Sequence, residues 1–216
     1  MLISPVIVDY GMGNLGSVSN AFARLGVAAV ISSDPNIVCA APAIVLPGVG
    51  AFGEAMRRLR AGGLADALNT AVCKRGIPFL GICLGMHLVA ERSEEGGDEP
   101  GLGWIAGRVV RITEAPGRFV PHVGWNDVHA SEGEALFRNI VPGAHYYFDH
   151  SYDMDCSPDL VIARVEYAGR SVVAAIRHGN ILAAQFHPEK SQNNGLRLFR
   201  NFLVISGETQ PERVAC

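Results

Sequence analysis

Cys83 sits in Gly81-Ile82-Cys83-Leu84-Gly85, where a short apolar run, residues 77–82, gives way to a turn. This is the G-x-nucleophile-x-G pattern of a strand-to-helix elbow. Small residues on both sides let the backbone bend tightly and lift the thiol out of the sheet edge. A helix starting behind the turn would aim its positive end at the sulfur and favour thiolate. A buried structural cysteine between two loop glycines fits the same five residues, so other parts of the chain must decide.

A nucleophilic cysteine needs a base, and the base needs an orienting group. Of the seven histidines, His129, His145 and His178 lie in strand or turn sequence without an acidic partner at a useful spacing. His87 falls one helical turn after Cys83 and is a tempting base, yet no carboxylate is placed to orient it. His187-Pro188-Glu189 is better. Pro188 biases His187 towards extended backbone, and residues two apart then project to one side. Glu189 is thereby placed to hold one ring nitrogen of His187 and leave the other for Cys83. Oxyanion stabilisation needs backbone N–H donors. Leu84 supplies one as the residue after the nucleophile, and the Pro47–Gly50 turn offers a second from Val49 or Gly50.

The elements that must position these groups read as an α/β fold. Strands at 6–10, 27–31, 43–46 and 77–82 alternate with helices at 15–25 and from about 54, the latter interrupted at Gly62-Gly63. That alternation predicts a mostly parallel central sheet flanked by helices. From residue 103 onwards the pattern changes to strands joined by short turns, at 103–112, 118–128, 145–152, 160–167, 171–178 and 181–186. This predicts an added antiparallel or mixed β region in the second half. An amphipathic helix at 195–205 closes the fold. Residues 1–205 are expected to form a single domain, with 206–216 a polar tail.

With 216 residues, 49% hydrophobic content and a net charge of −3, the chain has a substantial core and no electrostatic reason to seek nucleic acid or an anionic membrane. Its five scattered cysteines hold no C-x-x-C pair, which fits a reducing compartment and neither a disulfide framework nor a zinc site. The N-terminal stretch lacks a basic region and is broken by Pro5 and Asp9, so it reads as a first strand. Gly11-Met12-Gly13-Asn14-Leu15-Gly16 supplies a rival. It is a G-x-G-x-x-G between strand and helix, with Asp34 after the next strand, the context of a dinucleotide site. The strand-rich second half argues against the second nucleotide-binding half such a fold requires.

Together these residues resemble the class I (triad) glutamine amidotransferases, and within that class the glutaminase subunits of imidazole glycerol phosphate synthases. The matching stretches are residues 9–15, 46–53, the elbow, 93–97, Pro121-His-Val-Gly-Trp-Asn126, 150–152 and Gln185-Phe-His-Pro-Glu-Lys190. The resemblance implies a flavodoxin-like amidotransferase fold and a Cys83–His187–Glu189 triad that hydrolyses glutamine through a γ-glutamyl thioester. It implies that Gly48, His87, Ser151 and Tyr152 contact the substrate, and that no cofactor or metal is needed. It further implies a cytoplasmic heterodimer with a (β/α)8-barrel cyclase that receives the ammonia. Pro121, Val123, Trp125, Asn126 and Lys190 would face that partner. In that family the Gly11–Gly16 turn is not a dinucleotide site. Two positions depart from the pattern: His87 stands where the family usually has Gln, and Asp149 where an apolar residue is common. A glutaminase feeding another synthase and a catalytically silent subunit are the competing readings.

Overall fold

The computed structural model describes residues 3–117 and 119–208. The chain first builds β1 (Val6–Val8), α1 (Leu15–Arg24), β2 (Val30–Ser32), α2 (Pro35–Cys39), β3 (Ile44–Gly48), α3 (Phe52–Ala61) and α4 (Leu64–Asn69). Next come β4 (Phe79–Cys83), the short α5 (Leu84–His87), β5 (Ala90–Ser93), β6 (Glu99–Pro100) and β7 (Ile105–Arg111). The second half adds β8 (His122–Ala130), β9 (Ala144–His150), β10 (Tyr152–Cys156), β11 (Val161–Tyr167), β12 (Arg170–His178), β13 (Ile181–Ala184) and α6 (Gln192–Gly207).

Among the described residues the strands form a nine-stranded sheet, ordered β2-β1-β3-β4-β13-β12-β11-β8-β9, and a four-stranded sheet, β10-β7-β5-β6. The first five strands of the large sheet run parallel. The remaining pairs are antiparallel. The antiparallel half is therefore an extension of the parallel sheet, and the small sheet is the mixed addition. Strands β3, β4 and β13 are buried along their whole length. That burial explains their continuous apolar sequence, since both faces are covered. Phe22 of α1 and Phe199 of α6 pack on one face, joined by Leu80, Ile82 and Phe186. Met56, Leu59 and Leu68 of α3 and α4 pack on the other, with Ile105 and Met154 of the small sheet.

Local signals explain most element ends. Asn14 caps α1 by accepting from the Ser17 N–H at 3.2 Å, and left-handed Gly26 (φ 75°) follows its end. Gly63, at φ 69°, separates α3 from α4, the interruption that the Gly-Gly pair predicts. The expected strand at 145–152 is two strands in different sheets, β9 and β10, divided at Ser151. The short elements α2, β5 and β6 lack the length for a clear period and were not anticipated. Helix α6 continues to Gly207, past the expected end of the domain at 205. Most of the tail, and Arg118 at the expected start of β8, fall outside the described residues. Among the described residues no helix is long and apolar enough to cross a membrane.

Candidate active site

Three parallel neighbours, β3, β4 and β13, deliver the chemistry to one edge. In their register Gly48 lies opposite Cys83 and Ala184 opposite Ile82, so residues 185–189 leave the sheet beside the elbow. Cys83 adopts φ 53° and ψ −108°, a conformation that non-glycine residues rarely hold. Such strain costs about 1–3 kcal/mol and persists only where surrounding packing enforces it. The flanking glycines are part of that enforcement. A Cβ on Gly81 would lie 2.6 Å from the Gly85 carbonyl oxygen, and one on Gly85 would lie 1.9 Å from the Leu46 oxygen. The helix behind Cys83 is only a four-residue turn. Its dipole is therefore weak, and activation of the thiol falls mainly to the histidine.

His187 and Glu189 meet as the sequence spacing predicts. His187 Nδ1 lies 2.7 Å from Glu189 Oε1, and both side chains are only 3% exposed. The His187 backbone N–H donates to the Tyr147 carbonyl at 2.9 Å, which fixes the segment. Burial alone would lower the His187 pKa. Hydrogen bonds to Cys83 and Glu189, and the charges of both, outweigh it and raise the pKa well above the ordinary value. Glu189 thus holds one ring nitrogen and orients the imidazole, the arrangement in which it can act as the base for Cys83.

Around this pair lies a cleft of about 290 Å³, whose lining includes Val49, Gly50, Leu84, His87, Ser151 and Tyr152 with Cys83 and His187. Pro121, expected at the partner face, forms part of its rim, and Glu95, Asp149 and His150 complete it. Gly48 lies beneath the wall: a Cβ there would meet the Tyr10 hydroxyl at 2.3 Å and Leu84 Cβ at 2.9 Å. Asp149 contributes its backbone, with its carbonyl oxygen 3.8 Å from Cys83 Sγ. His87 is 4% exposed and does not act on the thiol directly. Its Nε2 lies 2.6 Å from Gln185 Oε1, and Gln185 Nε2 lies 3.9 Å from Cys83 Sγ.

Two further buried histidines back the cleft. His150 Nδ1 donates to the Tyr152 carbonyl at 2.7 Å, which leaves its Nε2 to accept from His122 Nδ1 at 2.9 Å. His122 Nε2 then accepts from Asn126 Nδ2 at 2.7 Å. Burial lowers His122 and His87 to about 4 and His150 to about 3, so all three are neutral. Gln185, His122 and Glu95 were missed as site residues. The available signal was a polar residue ending an apolar strand, which Gln185 shows.

Other assignments separate from the cleft. Val123 and Trp125 are 53% and 46% exposed on β8, an outward apolar pair beside the cleft rim. Lys190 is exposed, with its Nζ 5.2 Å from the Tyr147 ring centroid. His145, expected to lack an acidic partner, pairs with Asp127 at 2.9 Å, but on an exposed cross-strand position. The rival residues are structural caps: Asn14 caps α1, and Asp34 caps α2 through Asn36 at 2.8 Å. Among the described residues no group of three or more His, Cys, Asp or Glu is arranged to hold a metal ion. A larger hollow of about 460 Å³ lies around residues 128–142, away from Cys83.

Known proteins resemble this chain along almost all of its length. The family described as glutamine amidotransferase class-I matches residues 6–206. The imidazole glycerol phosphate synthase subunit HisH of Methanothermobacter thermautotrophicus is 48% identical over 92% of this chain and 97% of its own. That of Moorella thermoacetica is 45% identical over 91% of this chain and 92% of its own. A solved glutamine amidotransferase shares the fold at a TM-score of 0.73, with 24% identity over 94% of this chain and 98% of that one.

Proposed function

Since the chain belongs to the class-I glutamine amidotransferases, we propose that it is the glutaminase subunit of an imidazole glycerol phosphate synthase. Its reaction releases ammonia from glutamine and passes it to a cyclase subunit of the (β/α)8-barrel kind. The observation that carries the reading is the buried His187–Glu189 pair lining one cleft with an elbow cysteine.

The Cys83 thiolate attacks the side-chain amide carbon of glutamine. The oxyanion that forms accepts hydrogen bonds from the Leu84 N–H and from the Val49–Gly50 turn. His187 gives its proton to the departing nitrogen, the C–N bond breaks, and ammonia leaves a γ-glutamyl thioester. Neutral His187 next takes a proton from water, whose oxygen attacks the thioester carbonyl. Collapse releases glutamate and restores the thiolate–imidazolium pair. Glu189 keeps the ring oriented throughout and stabilises its charged form. Ser151 and Tyr152 wall the cleft and contact the substrate.

Ammonia freed in water would be protonated and lost to synthesis, so a receiving subunit is required. Val123 and Trp125, with Pro121 and Lys190, form the face that receives it, while Asn126, expected there, turns to the other side of β8 and hydrogen-bonds His122. An aromatic anchor flanked by aliphatic and cationic groups is the composition of an interface centre. The test is glutamate release from glutamine by the chain alone and with a candidate cyclase subunit plus its ribotide ligand. Release should require the complex and vanish in Cys83→Ala. Full release by Cys83→Ala, or activity indifferent to the partner, overturns the proposal.

A further inference from the structure

A second hydrogen-bond chain reaches Cys83 without passing through His187. It starts at His87, which is 4% exposed, and runs through Gln185, which is fully buried. His87 Nε2 lies 2.6 Å from Gln185 Oε1, and Gln185 Nε2 lies 3.9 Å from Cys83 Sγ. An amide oxygen only accepts, so His87 Nε2 carries a proton and donates it. That donation leaves the amide NH2 facing the sulfur. The opposite amide orientation would turn its oxygen lone pairs towards the thiolate and repel it. The orientation of this one carboxamide is therefore tied to the charge on the nucleophile. The main chain adds rigidity, since the Gln185 backbone N–H donates to the Ala174 carbonyl at 2.9 Å.

We propose that His87 and Gln185 are a positioning pair for the nucleophile. His87 fixes the Gln185 carboxamide, and the amide N–H so aimed stabilises the Cys83 thiolate. The inference rests on Cys83 being the nucleophile of a glutaminase, and it gives His87 a task other than contact with glutamine. Burial keeps His87 neutral, lowering its pKa to about 4, so it supplies a directed proton without a second positive charge. Other groups also face the sulfur. His187 does so with Glu189 behind it and Tyr10 through its buried hydroxyl, while His150 interacts electrostatically with His87 and His187. Glu95 and Tyr152 border the same cleft, and Asp149 faces the sulfur with its carbonyl. Each of these stays in place when Gln185 or His87 alone is replaced.

The test is alkylation of Cys83 by iodoacetamide in the full chain, followed across pH by mass spectrometry of the Cys83 peptide. Gln185→Met keeps the length and removes the donor. Its profile is expected to move up by about one pH unit, so that on the acid limb the rate at a given pH is about tenfold lower, the low end for a hydrogen bond to a charged group. His87→Leu is expected to lower the rate in the same direction, by roughly threefold, because the amide is freed and not removed. His87→Gln retains an N–H for the amide oxygen and should restore the native profile. The double variant Gln185→Met/His87→Leu should match Gln185→Met alone, since His87 acts only through the amide. An unshifted profile in a folded Gln185→Met protein overturns the proposal. So does an identical profile for His87→Leu and His87→Gln, an arm that stands even if Gln185→Met does not fold. Failure of the underlying glutaminase reading is seen separately, as glutamate release that survives Cys83→Ala.

Discussion

Acidification should destabilise this protein well before its carboxylates titrate, and three buried histidines set the size of the effect. His87 and His150 are buried, and desolvation lowers them from 6.5 to about 4 and about 3. Between those values and 6.5 the unfolded chain binds protons that the folded chain refuses, so stability falls as pH falls. At pH 5 each contributes a loss of about 2 kcal/mol relative to pH 7, about 4 kcal/mol together. His122, lowered to about 4 by burial, acts in the same sense. His187 has a raised pKa, so its contribution is fully present below 6.5 and is lost only as pH rises through the folded value. It adds little slope in this window. A domain of ordinary stability, about 5–15 kcal/mol, would lose a large share. Urea unfolding at pH 7 and pH 5 measures the difference. His150→Gln should remove about a third to a half of the loss, whatever it does to stability at pH 7. A wild-type protein equally stable at both values refutes the reasoning, as does an unchanged difference in His150→Gln.

The remaining expectations concern the elbow, the triad and the outer face. Gly85→Ala places a Cβ 1.9 Å from the Leu46 carbonyl oxygen, a backbone atom that cannot swing away. It should cost about 3 kcal/mol or more, and a thermal melt within a degree or two of wild type would contradict that packing argument. Glu189→Gln removes the charge at 2.7 Å from His187 Nδ1 and should lower kcat in the complex by roughly 10²- to 10⁴-fold with little change in KM. A rate within twofold of wild type would mean that another group orients the ring. Trp125→Ala should weaken partner affinity by about 2 kcal/mol, roughly thirtyfold, while Cys83 alkylation stays at the wild-type rate. Unchanged affinity in a titration would remove Trp125 from the interface centre.

Residues adjacent in sequence carried most of what could be read from it. Cys83 with its glycines and His187 with Glu189 are each one short segment, so their local geometry follows from the motif. A shared sheet edge was also expected, but 181–186 read as part of the added antiparallel or mixed region, whereas β13 runs parallel beside β4. The His122–His150 contact was not legible. It depends on the register of β8 against β9, which pairs those two positions across 28 residues of chain. Gln185 was hidden for a similar reason: its role appears only once β13 lies beside β4. The Gly11–Gly16 motif shows the converse. Its glycines and Asp34 satisfy a nucleotide pattern, while Asn14 and Asp34 spend their side-chain oxygens on helix caps.

The antiparallel half of the large sheet is what turns an exposed edge bearing Cys83 and His187 into a cleft. The parallel strands alone bring Cys83, His187 and the Val49–Gly50 turn together, but they leave the thiol open on the side where β9 ends. Strand β9 supplies the Asp149 carbonyl and His150 there, and β8 pairs with it along its length. Because successive residues of a strand face opposite ways, β8 serves two surfaces at once. His122 and Asn126 turn towards His150 and the back of the cleft, while Val123 and Trp125 turn outwards. The wall of the substrate cleft and the exposed apolar face are therefore one β-strand thick. A partner seated on Val123 and Trp125 would rest directly on the strand that holds the histidine chain behind the Cys83 cleft.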